Sequence, residues 1–153
     1  MSGAVEAIVL AHPEGAENDL VERVTVVAGR GPEGDRHFRA EGMEPNEPGS
    51  GHDLTLIEAE ALEGLTTDTG IELGPGQHLR NVVTRGIALN DLVGKPFRVG
   101  AVRCVGIEPC HPCRHLERLT KPGVLKGLAG RGGLNADVVS GGEIAVGDPV
   151  EPL

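Results

Sequence analysis

The residues best suited to chemistry in this 153-residue chain lie in the segment Glu108-Pro109-Cys110-His111-Pro112-Cys113. An ionised thiol is a nucleophile, a soft-metal ligand and a carrier of persulfide sulfur. Three features favour ionisation at Cys113. An apolar strand-like run, 101–107, delivers the chain into a proline-stiffened turn. A helical stretch is expected from Arg114 onward, and the unpaired N–H groups at a helix start favour negative charge. His111, Arg114 and His115 are sequence neighbours that also favour the thiolate. Such surroundings lower a thiol pKa from about 8.5 to between about 3.5 and 7.5. Other readings stay open. Cys113 could be a small buried hydrophobe. Cys110-x-x-Cys113 has redox-pair spacing, but no βαβ frame surrounds it. A zinc site could recruit Cys104, His111 or His115, yet there is no second Cys-x-x-Cys. Cys104 alternates with Val102 and is expected to face the core.

A second group of polar residues could complete a site. In Asp35-Arg36-His37, His37 could donate a proton or contact a ligand, since imidazole titrates near neutrality. The alternative is a Gly-Asp turn with solvated neighbours. Asn81, just ahead of an apolar run, could bind a ligand or cap a turn. Arg36, Arg80, Arg85, Arg114 and Arg131 would hold an anion such as a pterin phosphate if they converged, because guanidinium meets phosphate with paired donors. Ordinary pairing with the 23 acidic side chains is the alternative. Gly130-Arg131-Gly132-Gly133 could turn backbone N–H groups toward such an anion, or simply be a loop.

The elements that must position these residues are short and mostly extended. Strands are expected over 4–11, 20–28, 53–57, 81–84, 96–99 and 101–107, with a tight bend at Gly100. In the second of these, Leu20, Val24 and Val26 share a face. Residues 58–69 read as a helix, with Ala61, Leu62 and Leu65 at helical spacing. Two short helical turns are expected over 114–119 and 124–128, broken by Pro122-Gly123. Residues 136–139 and 143–146 read as a hairpin about Gly141-Gly142. Pro149 suits a strand edge or end. Segment 34–51 is polar, rich in Gly and Pro, and expected to be a mobile loop. About seven strands with few helices predict a mainly β, closed or partly closed barrel forming one domain, 1–153.

Composition narrows the function. The net charge of −9 opposes a phosphate backbone, and with no Trp, no Tyr and only Phe38 and Phe97 there is no stacking platform. Nucleic acid is therefore not an expected partner. No run approaches the roughly 20 apolar residues that span a bilayer, so no membrane role is expected. The N-terminal residues carry no basic-then-apolar secretion pattern. Three cysteines make a poor disulfide framework, so reduced thiols in a cytoplasm are expected.

Several motifs in order resemble those of the MOSC domains, named for the C-terminal domain of molybdenum cofactor sulfurase. They are Gly34-Asp35-Arg36-His37, Asn81-Val82-Val83-Thr84-Arg85-Gly86-Ile87 and Leu92-Val93-Gly94-Lys95-Pro96-Phe97-Arg98-Val99-Gly100. Glu108-Pro109-Cys110-His111-Pro112-Cys113, Gly130-Arg131-Gly132-Gly133 and Gly141-Gly142-Glu143-Ile144-Ala145-Val146-Gly147-Asp148 follow. The resemblance implies a stand-alone, pyruvate-kinase-type β-barrel with a few short helices. It implies that Cys113 handles sulfur or ligates molybdenum, aided by His37. Asp35, Arg36, Arg80, Asn81, Arg114 and Arg131 would then contact the molybdenum cofactor (molybdopterin). The implied partners are a cysteine desulfurase as sulfur donor, which would supply the pyridoxal phosphate, and a molybdenum- or sulfur-cluster enzyme as acceptor. The alternatives are a cofactor-dependent reductase of N-hydroxylated compounds and a non-catalytic thiol- or metal-binding adaptor. Two positions depart from many relatives: Arg80 stands where they carry Glu, and His52-Asp53 where they have an Arg.

Overall fold

The computed structural model describes residues 2–12, 18–73, 76–111, 117 and 122–153. Its strands are β1 (Gly3–Leu10), β2 (Asp19–Val21), β3 (Arg23–Val27), β4 (Gly31–Pro32), β5 (Leu54–Glu58), β6 (Val82–Arg85), β7 (Pro96–Val99), β8 (Val102–Pro109), β9 (Leu134–Ser140), β10 (Gly142–Ala145) and β11 (Pro149–Pro152). Helix α1 (Ala59–Thr69) follows β5, a 3-10 turn covers Leu89–Leu92, and α2 (Val124–Gly127) precedes β9.

Seven strands close into a barrel in the order β11-β7-β8-β9-β5-β6-β1, with β1 pairing back to β11. All these pairs are antiparallel except β5 with β6. Strand β2 hangs on the far half of β1, and β10-β3-β4 form a separate three-stranded sheet. The mainly β barrel expected from the strand pattern is the fold observed. No described helix is long and apolar enough to cross a membrane.

Alternation decides which side chains fill the barrel. In β5, Leu54 and Leu56 point into the main core with Val82, Phe97, Val102, Cys104 and Leu134, while Ile57 faces outward. Ile57 and Val83 then form a platform for Ala59 and Ala61, which seats α1 against the barrel wall. Each fully buried Leu, Ile or Val contributes about 1.5–3 kcal/mol relative to exposure. Gly70 ends α1 with φ of 75° and returns its N–H to the Thr66 carbonyl. The bend between β7 and β8 requires glycine twice over. Gly100 has φ of 57°, and a Cβ there would collide with the Asp148 carboxylate.

Two expectations fail at the strand level. Residues 136–139 and 143–146 do not form a hairpin: β9 pairs with β5 and β8, whereas β10 pairs with β3 in the small sheet. The glycine pair does reverse the chain, but it hands it from one sheet to the other. Leu20 is 54% exposed although Val24 and Val26 are buried, because β2 ends at Val21 and β3 begins a different sheet. The 34–51 loop contains no strand or helix. Arg30 donates to the carbonyls of Arg39, Ala40 and Met43, and the Asp137 carboxylate accepts the N–H groups of Gly49 and Gly51.

Candidate functional site

Strand register brings most of the suspected segments to one mouth of the barrel. Leu56 pairs with both Val82 and Leu134, Leu134 pairs with Pro109, and Ile8 pairs with Val82. The chain entering β6 (Arg80-Asn81), leaving β8 (Cys110-His111) and entering β9 (Gly132-Gly133) therefore meets where β1 ends at Leu10. The Asp35–His37 turn is drawn to the same end: Arg36 donates its N–H to the Ala11 carbonyl, and Ala11 donates its N–H to Asp35 Oδ1 at 2.7 Å.

Asn81 and Asp35 form a closed hydrogen-bond network at this mouth. The Asn81 amide donates to the Val9 carbonyl (3.3 Å) and to Asp35 Oδ1 (3.1 Å). Its Oδ1 accepts from the Thr55 N–H (3.2 Å) and the Thr55 hydroxyl (3.1 Å). Both N–H groups and both lone pairs of the amide are thus used, leaving nothing for a ligand. Asp35 Oδ2 accepts the His37 N–H at 3.1 Å, an Asx-type turn that fixes the His37 backbone. Both side chains are buried. This is the role of a crosslink joining β1, β5, β6 and the 34–51 loop.

Arg80 and His78 are arranged differently. The Arg80 guanidinium donates from Nε to the Gly132 carbonyl (2.9 Å) and from Nη2 to the His111 carbonyl (3.4 Å). It is 7% exposed, and no carboxylate among the described residues pairs with it. His78 Nδ1 accepts the Arg80 N–H at 3.0 Å, which places the ring proton on Nε2. Burial, helped by the Arg80 charge, pulls the His78 pKa down from 6.5 to about 4, so the ring is neutral at physiological pH. Between them Leu79 has φ of 64°, the one positive φ outside glycine among the described residues. Such a conformation is sterically unfavourable for leucine and is held by its surroundings. Gly133 seats the neighbouring loop. Its N-terminal partner Gly132 binds Arg80, its carbonyl accepts the Cys110 N–H at 2.8 Å, and a Cβ on it would strike the Leu56 carbonyl.

The family model for the MOSC domain matches residues 37–151. The chain belongs to the MOSC domain family. Solved structures agree on the fold of this MOSC domain. The YuaD protein from Bacillus subtilis superposes with a TM-score of 0.80 at 17% identity, covering 99% of this chain and 96% of that one. YiiM from Geobacillus stearothermophilus gives 0.72 at 17% identity (99% and 75% covered). YiiM from Escherichia coli gives 0.69 at 19% identity (100% and 70% covered). No curated protein sequence matches the chain.

Within this MOSC domain the remaining candidates divide clearly. Arg36 and His37 are exposed beside the mouth. Arg131 donates from Nε to the Gly127 carbonyl and pairs with Asp68 on α1 at 2.8 Å, so its guanidinium does not join that of Arg80. Arg85 pairs with Glu6 and Glu63 on the outer surface. Cys104 lies in the barrel core, where burial pushes its thiol up to about 12, and this removes it from any zinc set at the mouth. No three His, Cys, Asp or Glu side chains among the described residues converge as a metal site. Cys110 is half-buried at the mouth. Cys113 and Arg114, with His115 and most of the helical turn expected over 114–119, lie outside the described residues. His78 and Thr55 carried no sequence signal of a role. A histidine two residues before an arginine is common, and only burial reveals the pair.

Proposed function

We propose that this MOSC domain carries sulfur on Cys113, or uses the same thiol to ligate molybdenum of the molybdenum cofactor. The observation supporting this is the gathering of Cys110-His111, which leads toward residue 113, with Asp35–His37 and Arg80-Asn81 at one end of a MOSC barrel. In the carrier role, the Cys113 thiolate attacks the terminal sulfur of a persulfide on a partner cysteine desulfurase. The new S–S bond forms as the donor's S–S bond breaks. The donor cysteine leaves as thiolate and takes a proton, for which His37 at the exposed rim is the assigned source. No net oxidation occurs. Passing the sulfur to an acceptor enzyme repeats the exchange in the other direction.

The mouth also suits the cofactor chemically. A thiolate is a soft ligand for a metal, and the exposed Arg36 guanidinium, without a carboxylate partner among the described residues, is a donor for a pterin phosphate. When bound, the cofactor would supply two-electron reduction of N-hydroxylated compounds. Here the chain's own part is to hold the phosphate at Arg36 and offer a proton from His37.

Incubation with a cysteine desulfurase and cysteine, followed by intact mass, is expected to add one sulfur to the native protein and none to Cys113→Ala. Molybdenum co-purifying from a cofactor-competent host, and falling in Cys113→Ala, would favour the cofactor role. Absence of both sulfur and molybdenum from the native protein rules the proposal out and leaves a non-catalytic adaptor.

A further inference from the structure

We infer that Arg80 is the receptor for the carboxylate of a small organic acid bound at the barrel mouth. This role follows from the chemistry of Arg80 and does not depend on what Cys113 carries. In a chain with 23 acidic side chains, four described arginines (Arg23, Arg85, Arg98 and Arg131) take carboxylate partners, all near the surface. Arg80 is the described arginine or lysine that is buried, and it has no carboxylate partner among the described residues. A buried cation without a counter-charge is strongly unfavourable, so such groups are normally paired or bind a ligand. The two carbonyls it contacts do not explain the charge, because a neutral amide could donate to Gly132 and His111 as well.

The open donors define the shape of the ligand. Of the guanidinium's five N–H groups, Nε and one on Nη2 are engaged by the two carbonyls. The other N–H of Nη2 and both on Nη1 have no partner among the described residues, and a guanidinium with free donors on neighbouring nitrogens can meet both oxygens of a planar anion. Charge selects among such anions. His78 is hydrogen-bonded through Nδ1 and adds no charge. Among the described residues, the Asp35 carboxylate is linked to Arg80 through the neighbouring Asn81, and its oxygens already accept from Ala11, Asn81 and His37. Among the described residues, then, no carboxylate meets the Arg80 guanidinium directly, and a ligand of single negative charge would balance it. A dianion such as sulfate would leave negative charge buried beside Asp35.

The full chain, titrated at pH 8 and constant ionic strength with formate, acetate, nitrate or sulfate, tests the inference. Formate and acetate are expected to shift the Arg80 Nε–H resonance saturably and to raise the thermal midpoint, with sulfate no better than chloride. Arg80→Gln should weaken acetate binding at least tenfold, while Arg98→Gln, in a surface ion pair with Glu151, should leave it unchanged. No saturable shift at Arg80 with either carboxylate overturns the inference, as does sulfate binding more tightly than acetate. Nitrate binding without carboxylate binding overturns the organic-acid assignment. If Arg80→Gln does not fold, the native Arg80 resonance decides between these outcomes, and Arg80→Lys, which keeps the charge but loses the fork, should bind acetate more weakly.

Discussion

Arg80 and Asn81 are consecutive residues at the start of one strand, yet the molecule treats them in opposite ways. Asn81 is saturated: four side-chain hydrogen bonds join it to Val9, Asp35 and Thr55. Arg80 is buried to a similar degree but makes two side-chain hydrogen bonds and has no carboxylate partner among the described residues. A fully satisfied buried group holds a fold together, whereas a partly satisfied one leaves capacity for a ligand. The contrast separates the wall of the site from its working face.

Removing the saturated partner should have the largest effect. Asn81→Leu strands the Thr55 N–H and the Val9 carbonyl in a buried setting and leaves Asp35 Oδ1 with the Ala11 N–H as its described donor, and about 3 kcal/mol of stability should be lost. Urea unfolding would measure it. A loss below about 1 kcal/mol would show that the network is not the crosslink described here.

The next effect is a pH dependence on the Arg80 side. His78 has its folded pKa lowered to about 4 from 6.5, so the unfolded chain binds more protons between these values. Its contribution to stability is complete above pH 6.5 and declines as pH falls toward 4, by about 3 kcal/mol at most. Subtracting the stability–pH curve of His78→Gln from that of the native protein should isolate this slope. A difference curve flat over that window would mean that His78 is solvated in the folded protein.

The smallest change is the one that sharpens the comparison most. Arg80→Met exchanges a lone buried charge for an apolar stem and should alter stability by no more than about 1 kcal/mol, because the lost carbonyl contacts offset the removed desolvation penalty. A loss as large as that of Asn81→Leu would place Arg80 in the wall with its neighbour.

The sequence makes the barrel legible because its strands alternate and glycine marks their ends. Residues 96–99 are a strand to the residue, and α1 is readable from Ala61, Leu62 and Leu65. What local pattern cannot express is the choice of partner. Gly141-Gly142 announces a reversal, but only tertiary packing sends β10 to β3 and not back onto β9. At the site, motif order locates Asp35, Arg80 and Asn81, but residue type says nothing of saturation. Asn81 as crosslink and Arg80 as open donor are distinguished only by counting hydrogen bonds. His78 is illegible for the same reason, since its neutral state follows from burial.

An ionised thiol at residue 113 is the centre of the proposed function, and the pH dependence of its alkylation in the folded protein measures this directly. Peptide-resolved labelling with iodoacetamide should show Cys113 reacting with a midpoint below about 7.5, within the range of activated thiols. Cys104, whose thiol burial pushes up to about 12, should stay unlabelled until unfolding and serve as the internal reference. A Cys113 midpoint at the ordinary value of about 8.5, or labelling only together with Cys104, would contradict the sulfur chemistry assigned to it.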